Sequence, residues 1–330
     1  MSIMAKKIII GTASSTKAGR VTGALDVGSA PDGAKIAVPV VIVQGEKDGP
    51  VLWLHGSVHG NEYCGTYIIH EFLRGLKPAE LSGAVVAIPV VNVPAFQSNR
   101  RTSPFEIFNG GDMNRQFPGD AAGVATQQMA GVIFEQLKRY AGVFVDFHTA
   151  ITPDVRWALF PKADGEVGAT SEEIARTFGY RDTLPAPMNI LAGSALMTAA
   201  KAGIPGLIVE CGGKGPAFTT DAVRDASERL RNVARALGIL PGSAKAAQPM
   251  TFFSNFLWVT ASRGGLFEKT VSCGDRIVEG AVIGRYSDVW GNPVGDARAP
   301  QGGVVLAING GPVIGQGETL IHIGLDPRPA

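Results

Sequence analysis

The segment VLWLHGSVHGNEYCG, residues 51–65, begins with a short apolar run and continues through polar and glycine residues into a helical pattern. Four similar apolar runs follow it along the chain. Most are rich in β-branched residues, as is typical of strands that are covered on both faces. These runs are AVVAIPVVN (84–92), GVFVDFH (142–148), WALFP (157–161) and GLIVECG (206–212).

Helical patterns alternate with these runs. The predicted helices lie at about 62–75, 123–140, 170–179, 190–202 and 220–237. Two or three further β segments are predicted between residues 6 and 45. The alternation predicts an α/β fold, in which a mixed, mostly parallel sheet carries helices on both faces.

A linker is predicted at PGSAKAAQP (241–249), which is small, polar and bounded by prolines. We therefore predict two domains, residues 1–240 and residues 250–330. Helical periodicity is lost in the second domain, where short β runs alternate with glycine-rich turns, so we expect an all-β, sandwich-like domain. A weak internal repeat suggests two similar hairpin units. In this repeat Gly274, Ile277 and Gly280 recur as Gly311, Ile314 and Gly317.

Composition excludes several classes of partner. Lys and Arg total 30 against 29 Asp and Glu, so no strong field attracts nucleic acid. No apolar stretch approaches the roughly 20 residues that span a bilayer, so no membrane partner is expected. The three cysteines include no CxxC pair, which favours a reducing, cytoplasmic location. The sequence leaves open whether the chain forms a homo-oligomer.

Two of the five histidines stand where an open α/β sheet places its binding crevice. His59 and Glu62 follow the first apolar run, and His148 ends the run 142–148. Two imidazoles and one carboxylate leave a coordination position open for water, as in catalytic zinc sites. We predict one zinc ion per chain on these residues, although the same set also suits ferrous iron.

Two acidic residues lie close to this predicted metal site. Asp146 shares a strand face with His148 and either orients that imidazole or serves as a strand-end turn residue. Glu210 ends the apolar run GLIV, where it can act as general base and acid. The alternative for Glu210 is an ion pair with Lys214 or a nearby Arg.

Substrate-binding residues are predicted in GGDMNRQFPG (110–119) and SNRRTSP (98–104). Asn114 and Arg115 can hold a substrate carboxylate, since guanidinium binds this group bidentately. Arg100 and Arg101 offer a second cation that can polarise the scissile carbonyl. An isolated loop arginine is usually solvated, so these roles depend on the neighbouring metal residues.

Together the motifs HGNE, DMNRQFPG, DFH and IVECGG resemble the succinylglutamate desuccinylase and aspartoacylase family, a branch of the zinc carboxypeptidase fold. The resemblance covers residues 45–240. It implies that zinc is held by His59, Glu62 and His148 and that Glu210 is the general base and acid. It also implies that Asn114 and Arg115 bind a substrate carboxylate, while an upstream Arg polarises the carbonyl. We assign Arg101 to that role and Arg100 to substrate binding. The interval between this pair and the DMNR motif is longer than the resemblance implies, so the two arginines could exchange roles.

The C-terminal part resembles biotinyl or lipoyl carrier domains. Such carriers need a Lys at the hairpin tip, and APQGGVVLAING (299–310) has none. Covalent attachment of a cofactor is therefore not expected, and a lid over the crevice or an oligomer contact fits better.

These observations predict a zinc-dependent amidohydrolase that removes an acyl group from an N-acyl amino acid or a related small amide. Acetyl, succinyl and other short acyl groups all remain open. The alternatives are a metallocarboxypeptidase acting on small peptides and a non-catalytic small-molecule binding protein. A serine hydrolase is disfavoured, because the chain contains no GxSxG motif.

Overall fold

The computed structural model describes residues 7–106, 111–150, 154–309 and 311–330. Three predicted features fall partly outside these ranges. They are residues 1–6 of the first predicted domain, Gly110 in the predicted substrate-binding loop, and Gly310 at the end of the stretch compared with a carrier hairpin.

The first part of the chain alternates strands and helices. Its strands are β1 (Ile8–Ile10), β2 (Ala13–Ser15), β3 (Gly19–Ser29), β4 (Lys35–Gln44), β5 (Lys47–His55), β6 (Ser82–Ile88), β7 (Val143–His148), β8 (Val155–Lys162), β9 (Asp182–Pro187) and β10 (Gly206–Gly212). Its α-helices are α1 (Tyr63–Arg74), α2 (Val93–Gln97), α3 (Ala125–Tyr140), α4 (Gly165–Phe178), α5 (Ala195–Lys201) and α6 (Thr220–Ala236).

The second part of the chain contains only strands among its described residues. They are β11 (Thr251–Phe252), β12 (Asn255–Thr260), β13 (Gly265–Lys269), β14 (Arg276–Ile277), β15 (Val282–Ser287), β16 (Pro293–Arg298), β17 (Gly303–Ile308), β18 (Val313–Ile314), β19 (Thr319–Leu325) and β20 (Arg328–Pro329).

A ten-stranded mixed sheet forms the centre of the molecule. Its strand order is β20-β11-β9-β8-β10-β7-β5-β6-β4-β3. Parallel pairing joins β5 to β6 and β7, β10 to β7, and β9 to β8 and β11. The prediction of a mixed, mostly parallel sheet is confirmed.

Helices cover both faces of this sheet because its central strands are apolar on both sides. In β5, Leu52 and Leu54 belong to one core cluster, while Trp53 between them belongs to the other. Helices α1, α4 and α6 contribute their apolar residues to the cluster of Leu52, and α3 and α5 contribute theirs to the cluster of Trp53. In the described part of the chain, no helix has the length and apolar character needed to cross a bilayer.

Some boundaries differ from the sequence predictions, and one strand was not predicted. The helix expected at 170–179 begins earlier, at Gly165. The run 84–92 is a strand only to Ile88, since the next residue is a proline and Asn92 already caps α2 by accepting a hydrogen bond from the Ala95 amide at 3.2 Å. The helix expected at 190–202 begins at Ala195, behind the N-cap Ser194. Strand β9 was not predicted, because two prolines interrupt its apolar pattern.

The predicted site residues meet at the carboxyl ends of three adjacent strands. In the sheet, β10, β7 and β5 are neighbours and run parallel. His59 and Glu62 lie in the loop after β5, His148 is the last residue of β7, and Glu210 lies near the end of β10. The topology therefore brings residues about 150 positions apart to one edge of the sheet.

The C-terminal part is an all-β, sandwich-like unit, as predicted. One sheet has the order β12-β19-β17-β14 and the other has the order β16-β15-β13-β18. Between them lies a separate apolar core that includes Phe267, Tyr286 and Ile321. Its two ends return to the central sheet, where β20 pairs with β11 and β11 pairs with β9.

Candidate metal centre and catalytic cavity

The loop between β5 and α1 holds His59 and Glu62 in fixed positions. The Glu62 amide donates to the His59 carbonyl at 3.1 Å, which closes a turn between the two residues. Ser57 adopts a left-handed backbone conformation, with a φ of 49°, and its hydroxyl lies 2.8 Å from that of Thr66 in α1. The loop is thereby tied to the helix that follows it.

Side-chain donor atoms of His59, Glu62 and His148 converge on one point. His59 Nδ1 lies 2.9 Å from Glu62 Oε1, and His148 Nδ1 lies 3.1 Å from Glu62 Oε2. The two Nδ1 atoms are 3.2 Å apart. All three side chains are buried. These residues can therefore hold one metal ion.

The spacing and chemistry of these donors fit zinc. Zinc lies about 2.0–2.2 Å from nitrogen and oxygen ligands, so neighbouring donors of a tetrahedral site are roughly 3.3 Å apart. The observed separations of 2.9 to 3.2 Å are close to that value. A cation also explains why two ring nitrogens face each other beside a carboxylate. The same donors would accept ferrous iron.

A second carboxylate stands behind each imidazole. Asp112 Oδ1 lies 3.1 Å from His59 Nε2, and Asp146 Oδ2 lies 3.1 Å from His148 Nε2. When Nδ1 binds a metal, Nε2 carries the proton. The Nε2 of His59 is within hydrogen-bond geometry of Asp112, which fixes the tautomer and the ring orientation, and the Nε2 of His148 is within ion-pair distance of Asp146. The position of Asp146 agrees with its predicted orienting role. Asp112 was missed, although it begins the DMNR motif.

The charges around Glu62 and Asp112 keep both carboxylates ionised. Burial alone would raise the pKa of Glu62, but the charges and hydrogen bonds of His59 and His148 hold it well below its usual range. Burial likewise opposes a low pKa at Asp112, but His59, Arg101 and Arg115 hold that pKa below its usual range. Two charged carboxylates beside two imidazoles make this a cation-binding environment.

The pKa of His148 has the opposite shift. Burial lowers it, but the charges and hydrogen bonds of Asp146 and Glu62 prevail and raise it well above the usual value for histidine. A proton on His148 therefore competes with a metal ion for the same imidazole, and metal binding must release that proton.

We expect Asp112→Asn to weaken zinc binding by about 10- to 100-fold, as is typical when the partner of a ligand imidazole is changed. The substitution removes the charge that holds the Nε2 proton of His59. Competition with a chromophoric chelator would measure the zinc affinity. Asp120→Asn, in the same loop but exposed, is the matched control. Equal zinc affinities for the two variants would contradict an orienting role for Asp112.

Glu210 stands next to the metal residues on the same face of the sheet. Its position on β10 is in register with His148 on β7. Burial raises the pKa of Glu210 to about 7, and Oε2 has no hydrogen-bond partner among the described residues. Within the described ranges no ion pair joins Glu210 to Lys214, so this carboxyl remains available to exchange a proton.

The structure separates the two neighbouring arginines. Arg101 lines the cavity, and its guanidinium donates to Glu62 Oε1 at 3.3 Å and to Asp112 Oδ2 at 3.1 Å. Arg100 is exposed, does not line the cavity, and donates its backbone amide to the Ala95 carbonyl. Only Arg101 is brought together with the metal residues.

Asn114 and Arg115 also line the cavity. They lie in a 3₁₀ turn, Met113–Arg115. Asn114 Oδ1 accepts a hydrogen bond from the Ala195 amide at 3.1 Å, so the side chain is anchored at the start of α5. Arg115 donates to the Asn114 carbonyl at 2.8 Å, and no ion pair of its guanidinium is found among the described residues. Arg115 therefore presents a guanidinium without an ion pair among the described residues to the cavity.

The cavity has a volume of about 570 Å³ and lies between the central sheet and the C-terminal sheets. The C-terminal part contributes Phe256, Trp258 and His322 to its wall. Trp258 and His322 are paired across β12 and β19, and their rings stack with centroids 5.1 Å apart. Sequence reasoning missed these residues, because a short β run does not reveal which domain its face covers.

Comparisons with known proteins identify the relatives of this chain. The family model of the succinylglutamate desuccinylase/aspartoacylase catalytic domain matches residues 48–237, more than half of the chain. An N-alpha-acetyl-L-2,4-diaminobutyric acid deacetylase from Halomonas elongata is 28% identical over 301 residues, which are 87% of this chain and 85% of that protein.

Solved structures share the fold over nearly the whole chain. A succinylglutamate desuccinylase/aspartoacylase from Rhodobacter sphaeroides has a TM-score of 0.80 and 27% identity, covering 94% of this chain and 97% of its own. The product-bound ectoine utilization protein EutE (DoeB) from Ruegeria pomeroyi has a TM-score of 0.83 and 24% identity, covering 97% and 98%. At 24% identity, the similarity to EutE (DoeB) shows a shared fold alone.

Proposed function

Since the chain belongs to the succinylglutamate desuccinylase/aspartoacylase family, we propose that it is a zinc-dependent amidohydrolase that removes an acyl group from an N-acyl amino acid or a related small amide. The observation that carries this proposal is the convergence of His59, Glu62 and His148 beside a half-buried carboxyl, Glu210, at the wall of one cavity. The acetyl group removed by the Halomonas elongata relative makes acetyl the first acyl group to test.

In this proposal His59, Glu62 and His148 hold zinc, which would supply a Lewis acid to the amide carbonyl and to an attacking water. Glu210 takes a proton from the water and returns it to the departing amine. A pKa of about 7, raised by burial, suits a carboxyl that must both accept and donate a proton near neutral pH.

Three further side chains orient the substrate. Arg101 extends its guanidinium beside Glu62, where it can donate to the carbonyl oxygen as negative charge develops there. Arg115 has no carboxylate partner among the described residues and binds the substrate carboxylate. Asn114 supports the carboxylate through its amide. Arg100 has no role here, because it is exposed and lies outside the cavity lining.

The C-terminal strands favour a small substrate over a peptide. We propose that residues 1–240 form the hydrolase domain and that residues 250–330 form a β domain that narrows its cavity. Phe256, Trp258 and His322 of the second domain line the same cavity as the metal residues. A long peptide would need the space that these rings occupy, which argues against a carboxypeptidase.

The proposal is tested by assaying N-acetyl and N-succinyl amino acids together with blocked dipeptides. We expect zinc-loaded protein to hydrolyse the N-acyl amino acids, to lose this activity on chelation and to regain it when zinc is restored. Faster cleavage of the dipeptides would indicate a carboxypeptidase. Binding without hydrolysis of any of these compounds would reject the enzyme assignment.

A further inference from the structure

One part of the cavity floor is apolar and lies directly beside Glu210. Across the sheet, Glu210 is in register with His148 on one side and with Trp157 on the other. Ile208, two residues earlier on the same face, is in register with Leu159. Moving across the sheet from the metal residues, the floor therefore changes from imidazole to carboxyl to indole and aliphatic side chains.

These residues belong to a recess that we call the apolar recess and define as Trp157, Leu159, Leu191, Ile208 and Phe256. All five line the cavity. Trp157, Leu159 and Ile208 are only 2% exposed, and they belong to a core cluster. Phe256 packs from the C-terminal part, with its ring centroid 6.0 Å from that of Trp157. These five residues thus form an apolar part of the cavity wall.

The recess lacks a charged group that would hold a cationic ligand. No acidic residue belongs to the recess itself. Of the four acids in the rest of the lining, Glu62 and Asp112 contact His59 and Arg101, Glu318 accepts a hydrogen bond from the Gly315 amide, and Glu210 is assigned to proton transfer.

The chemistry of the reaction places a substrate group in this recess. The amine released from an N-acyl amino acid must receive its proton from Glu210, so its nitrogen lies within hydrogen-bond reach of that carboxyl. The carbon that carries the amino acid side chain is bonded to this nitrogen. The side chain therefore begins within a few ångströms of Glu210, and the apolar recess is the adjoining part of the floor.

We propose that the apolar recess binds the side chain of the released amino acid and makes the enzyme selective for N-acyl derivatives of apolar amino acids. This inference rests on the proposed amidohydrolase function. It also distinguishes the chain from its Halomonas elongata relative, whose named substrate carries a second amine. Burial of a leucine-sized side chain is expected to raise kcat/KM by about 10- to 100-fold over a substrate whose side chain buries no apolar surface.

The first test compares substrates with zinc-loaded enzyme. N-acetyl-L-leucine and N-acetyl-L-asparagine have side chains of nearly equal shape, and N-alpha-acetyl-L-2,4-diaminobutyrate adds a cationic one. We expect kcat/KM for the leucine derivative to exceed that of the other two by at least about 10-fold. Equal or faster hydrolysis of the asparagine or diaminobutyrate derivative would overturn the inference.

The second test changes the recess. Leu191→Asp places an anion in it, from the segment between β9 and α5. We expect this variant to lower kcat/KM for the leucine derivative at least about 10-fold and to raise it for the diaminobutyrate derivative. Asn189→Asp adds the same charge at an exposed neighbouring position and is the matched control. Equal selectivity in the two variants would overturn the inference.

A protein that does not fold after Leu191→Asp would be replaced by Ile208→Thr, which puts a hydroxyl in place of the longer branch of the aliphatic side chain. The preference for leucine over asparagine should then fall. An unchanged preference in a folded Ile208→Thr protein would count against the apolar recess as the side-chain site.

Calorimetry with the free amino acids gives a readout that does not need turnover. Wild-type protein should bind L-leucine at least about 10-fold more tightly than L-2,4-diaminobutyrate, and Leu191→Asp should reverse this order. If no N-acyl amino acid is hydrolysed but L-leucine binds selectively, the proposed function fails and the recess assignment stands. If hydrolysis occurs without an apolar preference, the recess assignment alone fails.

Discussion

Replacing Glu210 with Gln is expected to reduce kcat by about 10²- to 10⁴-fold, the contribution typical of a positioned general acid and base. The amide is similar in size to the carboxyl but cannot accept a proton from water and return it to the amine. Because Glu210 Oε2 has no hydrogen-bond partner among the described residues, the substitution breaks no contact of that atom within them. Steady-state rates with the best N-acetyl amino acid provide the measurement.

The same protein samples should be analysed for zinc. Glu210→Gln should retain the wild-type zinc content, because the metal residues are His59, Glu62 and His148. Glu268→Gln, at an exposed position on β13, is the control for a carboxyl-to-amide change and should have wild-type kinetics. Loss of zinc from Glu210→Gln would make this residue structural, and full activity would exclude it from proton transfer.

Replacing His148 with Ala is expected to have the largest effect on metal binding. It removes one of three protein ligands and leaves the charges of Glu62 and Asp146 without the imidazole that they contact. We expect zinc affinity to fall by more than the roughly 10- to 100-fold that follows loss of an outer partner, and activity to fall with it. Chelator competition and rates at several zinc concentrations would measure both effects.

The control for this variant is His70→Ala. His70 lies on α1 and is exposed, and it does not line the cavity. It should keep wild-type zinc affinity and activity. Wild-type zinc binding together with full activity in His148→Ala would show that the ion is held elsewhere. Wild-type zinc binding without activity would show that His148 acts in the reaction and is not a metal ligand.

Much of the fold could be predicted because its central strands carry their own signal. Strands β5, β7 and β10 are short apolar runs that match buried parallel strands, and each ends in or is followed by a polar residue of the site. Once these strands are assigned to one parallel sheet, their carboxyl ends must lie at a common edge. His59, Glu62, His148 and Glu210 could therefore be grouped from the sequence.

Other features depend on contacts that a single sequence does not encode locally. Strand β9 contains prolines, and its identity as a strand depends on pairing with β8 and β11. Arg100 and Arg101 are adjacent, and their different exposure follows from the local backbone after α2. The roles of Asp112 and Phe256 depend on their distances to His59 and Trp157, which lie far away in the sequence.

The most direct test of the metal centre is anomalous diffraction at the zinc absorption edge, from crystals of the protein loaded with one equivalent of zinc. We predict a single strong peak within about 2.0–2.2 Å of His59 Nδ1, His148 Nδ1 and a carboxylate oxygen of Glu62. A zinc peak on other residues, or no peak at this point, would contradict the proposed metal centre and the hydrolytic function built on it.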